Sequence, residues 1–272
     1  MKVVVNNFIL FFIFFGCTEN NGNMPGVYPN SKESRLTTIQ KNISDLSDYV
    51  YQPTHSEYYN DLDVEKVSSV TAKLITEIIN FEKFDINQIK GLTKDAELNG
   101  NIAIYSFGYD CGGTRGFITH PIIVWNYNNI TKAGNLSETI NCKFETITEL
   151  NSREGLYLLM GYEKGDGSCF QSITYVIKIN ENNLYVDYQA FPKRTYLNLC
   201  NGHFSYDEKN KLLNFKLTEN TSTQNLFEAL LYGEDENDST STKILYDWIS
   251  DDYFESGEFS LSFNGNIFQP HY

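Results

Sequence analysis

The residues with the most definite chemistry are four cysteines, Cys111, Cys142, Cys169 and Cys200. No two of them form a Cys-x-x-Cys pair, so the ligand spacing of the common zinc sites is missing. An even set of thiols in a chain bound for an oxidising compartment reads instead as disulfides. Three pairings are open. In the one that joins sequence neighbours, Cys111–Cys142 and Cys169–Cys200, each cysteine finds its partner 31 residues on. Chain-entropy arithmetic makes each such bridge worth about 3–4 kcal/mol. Cys111 also sits in a glycine-rich run, Asp110-Cys111-Gly112-Gly113-Thr114-Arg115-Gly116. The run lacks Gly-Lys-Ser/Thr and leads into a strand pattern, so it is no phosphate loop opening a helix. A hairpin turn that needs positive φ accounts for its glycines. Asp110, Gly112, Gly113, Thr114 and Arg115 then form a candidate binding loop at its tip.

Catalytic constellations are not legible, and the sequence leans away from an enzyme. Ser168 lies in Asp166-Gly167-Ser168-Cys169 and lacks the Gly-x-Ser-x-Gly spacing of a hydrolase elbow. Cys200 and His203 are close in sequence, but a disulfide would consume the thiol a Cys–His pair needs. His55, His120, His203 and His271 are scattered without ligand spacing, so no metal and no cofactor are expected. Asp235-x-Asn237-x-Ser239 opens like a calcium loop, yet Thr240 stands for the turn glycine and Tyr246 for the bidentate glutamate. Asp251-Asp252 could serve glycoside hydrolysis only at a separation set in three dimensions. Aromatics make up 15% of the chain, nineteen Tyr and nineteen Phe, which suits either sheet packing or a recognition face. Tyr58, Tyr59, Tyr127, Tyr162 and Tyr253 are the candidates for such a face.

The N-terminus is of a different kind. Met1-Lys2 precedes an apolar stretch, Val3 to Phe15 broken by Asn6-Asn7, that ends at Gly16-Cys17. A positive start, a short hydrophobic segment and a small residue at the cut make a secretory signal over residues 1–16. The stretch is shorter than the roughly 20 residues needed to span a bilayer. A cysteine directly after the small residue resembles the lipobox of bacterial lipoproteins, although Phe14-Phe15 depart from its usual residues. The resemblance implies that Cys17 carries a lipid and becomes the new N-terminus. It also implies a cell-envelope address, with attachment to the outer membrane of a Gram-negative bacterium. Tyr105-Ser106-Phe107 followed by Gly112-Gly113-Thr114 resembles, over about a tenth of the chain, a motif of uncharacterised lipoproteins of Bacteroidota.

Charge narrows the partners. The chain of 272 residues carries a formal −14, and loss of residues 1–16 with Lys2 takes it to −15. Such a surface repels phosphate backbones, which excludes nucleic acid. It also resists anionic lipid, so membrane attachment would run through the lipid on Cys17.

Periodicity sets the elements. Residues 17–34, with Pro25-Gly26 and Pro29-Asn30-Ser31, read as a flexible tether. Residues 35–97 read as a helical segment packed on the rest. Leu36, Ile39, Ile43, Leu46 and Val50 mark one amphipathic helix that ends at Pro53, and Val67, Val70, Leu74, Ile75 and Ile78 mark a second from Asp63 to Phe81. From residue 98 to 272 the period is two. Strands are expected at Ile102–Tyr109, Phe117–Trp125, Ile140–Ile147, Leu156–Tyr162, Ile173–Ile179, Leu184–Ala190, His203–Tyr206 and Leu212–Leu217. A last hairpin joins Glu258–Phe263 to Ile267–Gln269 through Asn264-Gly265. Pro121 should place the second strand at an edge or bulge. Gly108-Tyr109 with Asn128-Asn129-Ile130 is echoed by Gly161-Tyr162 with Asn182-Asn183-Leu184, a recurrence of hairpins.

The expected fold is α+β: two N-terminal helices, then a mainly antiparallel β domain closed as sandwich, meander or partial propeller. The expected function is that of a non-enzymatic envelope lipoprotein binding a protein or glycan. The alternatives are an envelope hydrolase with acidic catalytic residues and an inhibitor of a basic wall-degrading enzyme.

Overall fold

The computed structural model describes residues 33, 35–41, 72–73, 75–77, 79–80, 85–112, 116–136, 142–164, 170–191, 195–200, 202–217 and 258–271. Its architecture is antiparallel β, built from three successive meanders. The first sheet runs β1 (Thr93–Leu98), β2 (Ile102–Gly112), β3 (Gly116–Tyr127) and β4 (Ile130–Asn135) in order. The second runs β5 (Lys143–Asn151), β6 (Leu156–Lys164), β7 (Phe170–Asn180) and β8 (Asn183–Tyr185), with β9 (Tyr196–Cys200) also on β7. The third is β10 (Gly202–Asp207), β11 (Leu212–Leu217), β12 (Glu258–Phe263) and β13 (Phe268–Pro270). The recurrence of hairpins thus corresponds to matching meanders, with Asn128-Asn129 and Glu181-Asn182 as their third turns. Asn128 and Asn129 both take positive φ, as a two-residue hairpin turn requires.

Burial explains the stacking. In β2, Ile102 and Ile104 face the second sheet and meet Phe144, Leu159, Ile173 and Ile177, while Tyr105 and Phe107 face the opposite way. On that opposite face they pack with Ile122, Val124 and the helical residues Ile39, Ala72 and Ile75. The second sheet is covered on both sides, so β7 is buried without a break from Ser172 to Ile177. Its other face, through Leu156, Leu158, Val176, Leu197 and Leu199, meets Leu213, Phe215, Leu261, Phe263 and Phe268 of the third sheet.

Several expectations shift. β1 starts at Thr93, ahead of the boundary expected at residue 98, and β4 and β9 were not anticipated. All three are short, and two carry little apolar alternation. Pro121 is buried inside a β3 that lies between two neighbours. The β4 ladder ends one residue away, at Ile122↔Asn135, and Leu136 N–H bonds the Pro121 carbonyl at 3.1 Å. Its nitrogen therefore faces the spot where no ladder bond is required. Asn264-Gly265 belongs to a four-residue loop between Phe263 and Phe268, with Gly265 at φ +106.

Candidate functional site

Among the described residues a recess lies where one edge of β7 is shared by two strands. β8 pairs with the end of β7 through Lys178↔Tyr185, Ile179↔Leu184 and Asn180↔Asn183, and β9 pairs from Tyr175↔Tyr196 toward the other end. The strand expected at Leu184–Ala190 therefore stops at Tyr185. Beyond it the ladder edge belongs to β9, and the Tyr175 hydroxyl donates to the Val186 carbonyl as the chain turns away. That departure opens a recess of about 470 Å³ lined by Lys178, Asn180, Leu184, Tyr185, Asp187 and Tyr188, together with Val186. The volume falls within the about 300–1,000 Å³ of small-molecule sites.

Its side chains are a recognition set. Tyr185 is 48% exposed and stands directly across the ladder from Lys178, so ring and ammonium share one face. Asn180 and Asn183 form the next pair on that face. Tyr188 is anchored by its hydroxyl, which donates to the Asn266 carbonyl at 3.1 Å, and its ring packs at the edge of the core. The Lys178 ammonium donates to Glu154 at 3.0 Å. Aromatic faces beside an ammonium, an amide and a carboxylate can stack a ring and hydrogen-bond its hydroxyls.

The sequence reading missed Tyr185 and Tyr188. Both fall in a segment that read as strand, where residues three apart point to opposite faces. Only the loss of the ladder after Tyr185 brings them to one recess. The anticipated aromatics fare differently. Tyr127 packs in the seam between the first two sheets, Tyr162 is half-buried, and Tyr58, Tyr59 and Tyr253 lie outside the described residues.

A smaller recess of about 210 Å³ gathers Asp85, Glu97, Tyr105, Asn126 and Thr131. Its acids have local duties. Asp85 accepts from Asn87 N–H at 3.0 Å and from the Asn87 amide at 2.8 Å, capping the 3-10 turn Ile86–Gln88, and Glu97 pairs with Lys94 at 2.7 Å. Burial pushes the Tyr105 phenol up, so its proton stays in place. Both carboxylates are thus engaged in local contacts.

At the seam of the first two sheets sits a second unusual group. Asp95 is the extra residue of a β-bulge between Lys94 and Ala96, and both of its carboxylate oxygens are buried without a hydrogen bond. Burial raises its pKa, and the nearby Ser106 and Lys143 pull it back down. Cys142, one of the four expected disulfide cysteines, is a free thiol, fully buried in this seam. Burial, then the charges of Glu163, Glu145 and Asp95, push the thiol well above its ordinary range, which makes it inert. The backbone of Cys111 is next to last in β2 and that of Cys200 ends β9, while Cys169 lies outside the described residues.

The remaining candidates scatter. Asp110 and Gly112 form the end of the β2–β3 hairpin, which closes at Gly112↔Gly116 as expected, and Gly113, Thr114 and Arg115 lie outside the described residues. So do Cys17, His55, the acidic loop near Asp235, and Asp251-Asp252. His120 is buried against the Phe107 ring at 5.5 Å, and burial pushes its pKa down to about 4. His203 lies on the polar outer face of the third sheet with Ser205, Asn214 and Lys216, and His271 is exposed. Among the described residues, no three His, Cys, Asp or Glu gather as a metal site, and no helix is long and apolar enough to cross a membrane. Compared with known proteins, the chain matches no family model, no curated protein and no solved structure.

Proposed function

We propose that the chain is an exported lipoprotein, held to the outer membrane by a lipid on Cys17, whose β body is a non-enzymatic glycan-binding module. The observation that carries the binding reading is the recess at the β7–β8 edge, where exposed Tyr185 stands beside Lys178 and Asn180 with Tyr188 as a fixed wall. A concave site of this volume suits a sugar better than a protein surface, which binds over a far larger, flatter area. The address rests on the signal-like residues 1–16 and on Gly16-Cys17. In this reading two amphipathic helices cover the first sheet, and the three meanders stack as sandwich layers. A disulfide between Cys169 and Cys200 is favoured over one using Cys142, because Cys200 is registered opposite Gln171, two residues from Cys169.

A glycan array followed by calorimetry tests the binding. Wild-type protein should retain a defined glycan, Tyr185→Ala should lose at least about tenfold in affinity, and Tyr196→Ala, on an exposed tyrosine outside the recess, should not. Equal loss in both variants, or no retained glycan, refutes the reading. The anchor is tested separately by lipid labelling and membrane partition of Cys17→Ala, and unchanged behaviour would remove it.

A further inference from the structure

The recess does not end at Tyr188. The Tyr188 hydroxyl bonds the Asn266 carbonyl, and the next residue, Ile267, is 41% exposed. A single exposed isoleucine is ordinary on a protein surface. Here, however, its backbone is fixed by several hydrogen bonds. Asn264 Oδ1 accepts from the N–H groups of Asn266 at 3.1 Å and Ile267 at 3.0 Å, which locks the turn. The Asn151 amide donates to the Gly265 carbonyl at 2.7 Å, tying the turn to the second sheet. Phe268 N–H donates to the Ala190 carbonyl at 2.8 Å, tying it to the segment that carries Tyr188. The β12–β13 turn is thus tied to the tyrosine wall, and Ile267, next to the Tyr188–Asn266 bond, offers an exposed apolar side chain on that turn.

The dimensions follow from the chain. Tyr185 and Tyr188 are three residues apart, at most about 10 Å along an extended backbone, and Ile267 directly follows Asn266, whose carbonyl the Tyr188 hydroxyl bonds. Two tyrosine rings and an isoleucine side chain offer more apolar area than a single pyranose ring can cover. The charge of the recess is equally informative. Lys178 is matched by Glu154 at 3.0 Å, and Asp187 adds a negative charge to the lining, within a chain of net −14. A uronate or sulfated glycan would meet repulsion both at the site and from afar, whereas an uncharged one meets none.

We infer that the ligand is a chain of uncharged sugars, at least two rings long, laid from Tyr185 over Tyr188 to Ile267. This inference rests on the glycan reading of the recess. Calorimetry with glucose-, mannose- and N-acetylglucosamine-based oligomers of one to six units, and with galacturonate oligomers of the same lengths, tests it. For a neutral series, affinity should rise at least about tenfold from one unit to four and then level off. Ile267→Ala should weaken the tetramer about fivefold and leave the monosaccharide unchanged, and Ile267→Ser should do the same. Galacturonates should not bind at low salt. Equal affinity for one unit and four, an equal Ile267 effect at every length, or tighter binding of galacturonates overturns the inference and leaves glycan binding standing. Failure of every glycan on the array and in both series overturns both.

Discussion

Asn80 and Thr131 exchange two hydrogen bonds. The Asn80 amide donates to the Thr131 carbonyl at 2.7 Å, and Thr131 N–H donates to Asn80 Oδ1 at 2.9 Å. Thr131 belongs to β4, the outer strand of the first sheet, so a side-chain amide stands where a fifth strand's backbone would pair. The contact couples a helical residue to the sheet it covers, and it occupies part of an open strand edge.

Asn80→Ala should speed amide exchange at Thr131 by about tenfold and lower global stability by about 1 kcal/mol, since the bonds are exposed. Asn80→Asp keeps the acceptor and loses the donor, and should fall between. Exchange measured by NMR checks both, and unchanged protection at Thr131 would show that the latch does not operate in solution.

His120 makes stability depend on pH. Its folded pKa of about 4 lies below the ordinary 6.5, so the native state binds fewer protons than the unfolded chain between those values. The group is silent above pH 6.5. Stability should fall as pH drops from 6.5 toward 4 and level off below, by roughly 3 kcal/mol in full. Urea denaturation of wild type and His120→Leu across that window should show a flatter slope in the variant.

Asp95 acts in the opposite sense. Burial raises the pKa of this acid in the folded state, so its ionisation costs stability once the pH exceeds the folded value and costs nothing below the unfolded one. Asp95→Asn should therefore be more stable than wild type at pH 7. The advantage should shrink as the pH falls and vanish near pH 3. A constant difference at every pH would mean that charge is not the cause.

At Gly161 the backbone of β5 lies close against β6. A methyl group added there would collide with the Lys143 carbonyl and come within 2.7 Å of the Phe144 Cα, backbone atoms that cannot swing aside. Gly161→Ala should cost about 3 kcal/mol or more, read as a large drop in denaturation midpoint. Gly134→Ala, whose nearest neighbour is the movable end of Leu184, should cost less.

Much of the β body was readable because one residue in two faces a core. The alternation in Ile102–Tyr109, Leu156–Tyr162 and Leu212–Leu217 marked strands at positions the structure occupies. The hairpin over Asp110–Gly116 and the turn at Asn128-Asn129 were legible from residues that tolerate positive φ. β9 was hidden because Tyr196–Cys200 is only five residues long and stands after a proline-bearing segment. Its pairing with β7 is a long-range choice with no local signature.

The sequence alone carries the signal-like pattern of residues 1–16, the lipobox-like Gly16-Cys17, the net charge of −14 and the alternation of the antiparallel class, since each is a property of composition, of a few adjacent residues or of a short period. Tertiary structure decided what those patterns could not encode. It left Cys142 a buried free thiol, placed Asp95 in a bulge with both carboxylate oxygens buried, and ended β8 at Tyr185, with β9 on the same edge of β7. The recess exists only as a consequence of that competition. Tyr185 and Tyr188 share one recess, and Tyr188 reaches Asn266, because segments far apart in the chain pack against one another, and spacing along the sequence carries no trace of it.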